Sequence, residues 1–199
     1  MILLGWVLYF LLHSLLALNS VKQLAQQSFP AFFPFYRLTY NVIAIAGYAL
    51  ILWYQFDQPQ DWLWRPGWLV RLPGLGLGLA GAWIMREAMR GYDLGEFVGQ
   101  KQLAAPDFLP PLQTRGWNAR VRHPLYFGSI LGLGGAFLLW PSQQMLIFLL
   151  THLAYIYLGS LWEEKKLETL YGPAYVRYKK RVPGLIPWRK AIPEATPEE

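Results

Sequence analysis

Residues Arg122–Lys166 read RHPLYFGSILGLGGAFLLWPSQQMLIFLLTHLAYIYLGSLWEEKK. Two apolar runs, Leu125–Trp140 and about Met145–Trp162, are joined by only Pro141-Ser142-Gln143-Gln144, and polar groups crowd both outer ends. Uncharged apolar runs of this length suit helices in lipid, where the backbone must satisfy its own hydrogen bonds. So short a link makes the two helices an antiparallel hairpin. The hairpin returns Glu163-Glu164 to the end that holds Arg122-His123. The first run has only 16 residues, so it is expected to be buried, tilted or at a thinned edge.

Three more apolar runs precede the hairpin: Met1 to about Leu18, Leu38–Phe56 and Leu69–Met89. Of 199 residues, 54% are hydrophobic and 15% charged, too apolar for an ordinary soluble domain. The expected fold is therefore all-α: one polytopic membrane domain over 1–199, with about five transmembrane helices and a cytoplasmic C-terminal helical segment. The first run lacks a basic start and carries His13 and Ser14, so it is expected to be a retained helix rather than a leader. Ten tryptophans and twelve tyrosines suit wide lipid–water interfaces. The absence of cysteine excludes disulfides, protein thiolate catalysis and cysteine-bound metal.

With the N-terminus outside and five crossings, the inner parts hold Lys22, Arg37, Arg90, Lys101, Arg115, Arg120, Arg122 and eight basic residues from Lys165 to Lys190. The outer connection holds only Arg65 and Arg71. This positive-inside bias puts the C-terminal tail in the cytoplasm, in a bacterial inner membrane. It also accounts for the net charge of +6, so no nucleic-acid partner is expected.

Residues 19–36 form the first inner connection, with the aromatic, proline-broken stretch Phe29–Phe35 expected at the interface. In the third run Gly74, Gly78 and Ala82 recur every four residues, a spacing that lets helices approach closely. A thin wall beside a ligand is the other reading. The glycines are no dinucleotide fingerprint, because no strand precedes them. Residues 90–122, with Tyr92-Asp93-Leu94, Pro106, Pro110 and Pro111, form a connection long enough to serve as a lid or an access element. After Trp162 the last helix runs on until Gly172-Pro173 stops it. A short helix over Ala174–Lys180 then puts Tyr175 and Tyr178 on one face.

Pro124 suits the first turn of a helix, which places Arg122 and His123 at a helix N-terminus. That end has free amide donors and partial positive charge, so with Arg122 it can hold an anion. A basic interfacial anchor with Tyr126 reaching toward water is the other reading. Glu163 and Glu164 at the same end are costly near lipid unless paired, with Arg122 or with a cationic ligand. His13 and His152 lie inside apolar runs, where a hydrogen bond between helices is the ordinary role. Three histidines so far apart give no metal-ligand spacing.

Two blocks, Arg122-His123-Pro124-Leu125-Tyr126-Phe127-Gly128 and Glu163–Glu168 through Tyr171-Gly172, Tyr175, Tyr178 and Val182-Pro183, resemble the cofactor core of a membrane methyltransferase superfamily. It is the one containing isoprenylcysteine carboxyl methyltransferases and phospholipid methyltransferases, and the likeness covers roughly residues 115–188. In the N-terminal half, His13-Ser14-Leu15-Leu16-Ala17, Arg37-x-x-Tyr40-Asn41 and Tyr92-Asp93-Leu94 resemble the branch with methanethiol S-methyltransferases and NnrU-like proteins. The resemblance implies S-adenosylmethionine bound near His123, Tyr126 and Gly128. It implies that Arg122 serves the methionine carboxylate or positions the loop, that Glu163 and Glu164 belong to the pocket, and that Tyr175 and Tyr178 close it.

Methyl transfer from a sulfonium needs in-line placement and a dry setting, and aromatics with a carboxylate can hold the cation. No strong base is required. His13 and Asn41 are read as acceptor-side groups, and Glu163 as the carboxylate near the reacting charge. The expected acceptor is small and apolar or lipid-like, a thiol such as methanethiol before a lipid amine or a prenylcysteine carboxylate. A non-catalytic membrane accessory or transport-related protein is the alternative class.

Overall fold

The structure, a computed structural model, describes residues 1–91 and 111–189; Tyr92-Asp93-Leu94, Lys101, Pro106 and Pro110 lie outside them. The helices are α1 (Ile2–Ala17), α2 (Asn19–Ser28), α3 (Tyr36–Asp57), α4 (Trp68–Met89), α5 (Pro124–Leu139), α6 (Gln143–Tyr171) and α7 (Pro173–Arg181). Short 3-10 turns occupy Phe33–Phe35 and Gly116–Ala119. Among the described residues no strand forms beyond one isolated bridge, Trp62 with Ser142. The all-helical expectation holds, and the chain is an integral membrane protein.

Helix length tests the expected five spans. α3 with its leading turn, α4 and α6 are each long and apolar enough to cross a bilayer. α1 and α2 pass only together, as a pair bent by 62°. α5 has 16 residues, about 24 Å at 1.5 Å per residue, short of the roughly 30 Å hydrocarbon core. Among the described residues length alone supports three spans, or four with the bent pair, and does not by itself confirm a fifth. The connection after α1 has structure of its own. Much of it is the polar helix α2, and only Phe29–Phe35 is the aromatic turn.

The chain forms two compact units. The first contains α1 to α3 and the start of α6. Its centre is Trp6, fully buried among the rings of Tyr48 and Phe148 at 5.1 and 5.2 Å. A buried indole N–H needs an acceptor, and Trp6 Nε1–H donates to Gln55 Oε1 at 2.8 Å. The connection after α3 is strapped to the start of α6: Gln144 Nε2 donates to the Pro59 carbonyl at 2.6 Å, and Gln143 N–H to the Asp61 carbonyl at 2.8 Å.

The second unit contains α4, α5, the later part of α6 and α7. Glycines bring α4 and α5 into backbone contact. A Cβ on Gly81 would lie 2.4 Å from the Gly128 carbonyl oxygen, and one on Gly135 would lie 2.5 Å from that of Gly74. No larger residue fits at those crossings, and the close approach itself gains dispersion energy. Because Gly74 faces Gly135 and Gly81 faces Gly128, the two helices run antiparallel, and the end of α4 lies beside the start of α5. After α6, Gly172 turns the chain at φ +54°, a left-handed conformation that favours glycine. α7 spans Pro173–Arg181, one residue beyond the expected short helix at each end.

Candidate functional site

His123 caps α5 and Pro124 occupies its first turn, as the sequence pattern predicts. The preceding segment is held beneath α7. The Tyr178 hydroxyl donates to the Asn118 carbonyl at 2.6 Å, and Asn118 Nδ2 donates to the Arg122 carbonyl at 3.3 Å. Tyr175 and Tyr178 form the buried side of α7 and cluster with Val182 just past its end, with Leu112, Leu167 and Tyr171 packed against them. This packing, with the Tyr178–Asn118 bond, ties the segment before α5 to α7.

Arg122 is the hub. Its Nε donates to Glu164 Oε1 at 3.0 Å, and one terminal nitrogen bonds the same oxygen. The other terminal nitrogen donates to the Lys179 carbonyl at 3.1 Å and to the Val182 carbonyl. Both charged side chains are about nine-tenths buried, so each supplies the other's counter-charge. The backbone closes the same contact: Arg122 N–H donates to the Pro183 carbonyl at 2.8 Å, and His123 N–H to that of Gly184 at 3.2 Å.

His123 Nε2 lies 3.3 Å from Glu164 Oε1. A carboxylate only accepts, so Nε2 carries the proton of that bond. On the other side of the ring, Nδ1 is 3.7 Å from Glu163 Oε2, and the Tyr126 ring stacks at 5.4 Å. Glu163 stays 43% exposed, whereas Glu164 is buried. Lys179 reaches Glu164 at 2.9 Å and Glu168 at 2.7 Å, and the carboxylates of Glu168 and Glu164 hold its ammonium above the usual lysine range.

Tyr175 differs from its neighbours. Its side chain is 1% exposed, yet among the described residues its hydroxyl has no hydrogen-bond partner. Burial pushes the phenol up to about 12, helped by the charge of Glu164 and opposed by Arg122. Orphaned buried hydroxyls are uncommon, because each forgoes its hydration. The first intrahelical bond of α5 is Phe127 N–H to the His123 carbonyl; before it, Pro124 has no N–H and the His123 amide already serves Gly184.

The structure thus brings together Arg122, His123, Tyr126, Glu163, Glu164, Tyr175 and Tyr178. Gly128 has a packing role, since a Cβ there would meet Met85 at 2.6 Å and the Gly81 carbonyl at 2.8 Å. His152, on α6, is buried. His13 lies in the first unit, where the Tyr40 hydroxyl bonds its Nε2 at 2.8 Å and the Tyr9 ring stacks at 5.8 Å. Asn41, beside Tyr40 on α3, is half-buried. Sequence reasoning missed Lys179, Asn118 and the carbonyls of residues 182–184. The first was within reach, being one helical turn beyond Tyr175. The others depend on how the chain folds back and leave no local signal. Among the described residues no three His, Asp or Glu side chains converge as metal ligands would.

A phospholipid methyltransferase family model matches residues 70–174, more than half of the chain. Methanethiol S-methyltransferase 1 of Bradyrhizobium diazoefficiens is 28% identical over 89% of this chain and 66% of its own length. The methanethiol S-methyltransferase of Pseudomonas deceptionensis is 30% identical over 88% of this chain and 67% of its own. The chain therefore spans about two thirds of the length of these relatives. No solved structure matches it.

Proposed function

The chain belongs to the phospholipid methyltransferase family, and on that premise we propose that it transfers a methyl group from S-adenosylmethionine to a small, membrane-partitioned thiol. Methanethiol is the favoured acceptor, named for the relatives that align with most of this chain. The observation that carries the cofactor assignment is the buried Tyr175 hydroxyl, which lies against the Arg122–Glu164 pair without a hydrogen bond of ordinary geometry.

The residues fit such a cofactor. The partial positive charge at the start of α5 suits its carboxylate, half-exposed Glu163 suits its ammonium or sulfonium, Tyr175 supplies a hydroxyl, and Tyr126 with His123 offers a flat face. The proposed cofactor core is residues 115–188. When bound, S-adenosylmethionine supplies a methyl group on a positively charged sulfur. The residues around it hold charge and exclude water rather than form a covalent link.

On the acceptor side we assign His13, oriented by Tyr40, and Asn41. A thiol loses its proton as its sulfur gains a methyl group, and a neutral imidazole suits that modest task. The positive-inside count supports an N-terminus outside and a cytoplasmic C-terminus in a bacterial inner membrane. It requires α5 to enter the bilayer beside α4 despite its length.

Two measurements test the reading. Calorimetry of the folded, detergent-purified protein should show S-adenosylmethionine binding, weakened about tenfold by Glu163→Gln, the order of one exposed charge-assisted contact. Supplying methanethiol should then yield dimethyl sulfide in the headspace. Folded protein that binds no cofactor overturns the methyltransferase reading. Binding without thiol turnover, but with methylation of a lipid amine, would move the acceptor to the class named by the family.

A further inference from the structure

α7 has a second face that the site does not use. Its inner side is Tyr175 and Tyr178, with Val182 just past its end. Its outer side carries Arg177, Lys180 and Arg181, spaced i, i+3 and i+4 so that they lie together, and all three are exposed. Arg189 donates to the Lys180 carbonyl at 3.0 Å, which folds a fourth cation onto this face. Among the described residues none of the four has an acidic partner: Glu164 and Glu168 are taken by Arg122 and Lys179. Beside them Ile186 and Trp188 are 56% and 68% exposed.

The chain path brings this face to the bilayer. α6 loses its apolar character after Trp162, and the Gly172 turn reverses the chain. Lys179 bonds both Glu168 and Glu164, so α7 runs back along α6 toward the apolar end. At Gly184 a Cβ would lie 3.6 Å from Glu164 Oε1, two residues beyond Trp162, itself 59% exposed. Four cations, an indole and an isoleucine therefore gather at headgroup depth. Tryptophan favours that depth, and grouped basic residues there attract acidic lipids.

We propose that Arg177, Lys180, Arg181 and Arg189, with Ile186 and Trp188, dock on anionic lipid headgroups of the surrounding bilayer, and that docking holds residues 183–184 against the polar cluster. The second half follows from shared backbone: the Pro183 and Gly184 carbonyls accept the Arg122 and His123 amides. A segment pinned by lipid on one side presents those acceptors with less freedom on the other. This coupling rests on the methyltransferase reading; the docking does not.

The test uses the absence of cysteine. Trp188→Cys, labelled with an environment-sensitive nitrobenzoxadiazole, is placed in nanodiscs of phosphatidylcholine alone or of phosphatidylcholine enriched in phosphatidylglycerol. Headgroup-region spin-labelled lipid should quench the label strongly in anionic discs and weakly in zwitterionic ones. High salt should erase the difference, and soluble glycerol phosphate should not reproduce it. Each neutralised cation should lower the docked-to-free ratio about fivefold, so R177Q/K180Q/R181Q should remove the lipid dependence while the helical signal stays. Equal quenching in both discs, or a triple variant like the parent, overturns the docking. S-adenosylmethionine affinity in the same discs tests the coupling, and should be higher in anionic lipid. Equal affinity overturns the coupling alone. Failure to bind cofactor anywhere would count against the methyltransferase reading and leave the quenching result standing.

Discussion

Removing Glu164 should unfasten the C-terminal segment before it disturbs the membrane helices. In the parent, Glu164 Oε1 receives Arg122 Nε at 3.0 Å and His123 Nε2 at 3.3 Å, and Oε2 faces Lys179 at 2.9 Å. Glu164→Gln keeps size and shape but leaves Arg122, 9% exposed at its side chain, without a counter-charge. Breaking a buried pair from one side costs about 3–5 kcal/mol. The carbonyls of Lys179 and Val182 still accept from Arg122, which argues for the lower end, about 3 kcal/mol. Loss of the Lys179 contact adds little, because that side chain is 40% exposed and keeps Glu168.

Arg122→Gln should cost somewhat less, since Glu164 retains Lys179. The double variant should be less destabilised than the sum of the singles, with a coupling of roughly 1–3 kcal/mol. The assay is a double-mutant cycle in mixed micelles, following unfolding by circular dichroism while limited trypsinolysis reads the chain around Lys180 and Arg189. Both single variants should be cut there faster than the parent. Singles costing under about 1 kcal/mol, or a cycle additive within about 0.5 kcal/mol, would refute the claim that this pair holds the segment.

Other consequences are sharper in sign than in size. Gly81→Ala should destabilise by about 1–3 kcal/mol, since its Cβ would meet two backbone atoms of α5 within 3 Å. By contrast, Gly76→Ala, where nothing lies within 4 Å, should be neutral or stabilising by up to about 1 kcal/mol. Equal effects in parallel denaturation series would contradict the backbone contact. Tyr175 titrates at about 12 when folded and near 10 when unfolded. Its contribution is intact below pH 10 and declines by roughly 2–3 kcal/mol as pH rises from 10 to 12. Tyr175→Phe should flatten that alkaline fall, keep stability at neutral pH, and weaken S-adenosylmethionine binding. An unchanged alkaline arm would count against it. His13→Ala should lower thiol turnover by about 10²-fold or more with cofactor affinity unchanged, and Tyr40→Phe should lower it less. Loss of affinity in His13→Ala would move that residue out of its acceptor-side role.

Much of this architecture was legible because it is written in local pattern. The runs Leu125–Trp140 and about Met145–Trp162 needed only hydropathy and a four-residue link, and the Gly172-Pro173 stop needed only backbone preferences. The meeting of Arg122 with Glu164 followed from hairpin topology. The span count was less legible, because α5 is shorter than a bilayer and α1 breaks at Leu18, whose extended ψ of 139° bends the chain into α2. Hydropathy measures a run's apolarity and not its straightness. The glycines pointed to close packing, but a sequence does not say which helix a glycine faces. The carbonyls of residues 182–184 were illegible for a simpler reason: every residue has one, and only the reversal at Gly172 selects these three.

The engagement of Arg122 also constrains the ligand. The residue type and its place before a helix suggested a guanidinium offered to an anion. In the fold, Nε and one terminal nitrogen serve Glu164, and the other serves two carbonyls. A bidentate contact to an incoming carboxylate would have to displace Glu164 and leave that charge buried with Lys179 alone. Arg122 therefore acts by holding the chain at the start of α5, and what this end offers an anion is the partial positive charge of the helix start. Glu163, half exposed on the far side of His123 from Glu164, adds a negative charge beside the start of α5. The positive end of α5 and the Glu163 carboxylate, both beside His123, match a zwitterion better than a phosphate. The amino-acid end of S-adenosylmethionine is such a group, and this pairing of signs adds support to the proposal that it sits here.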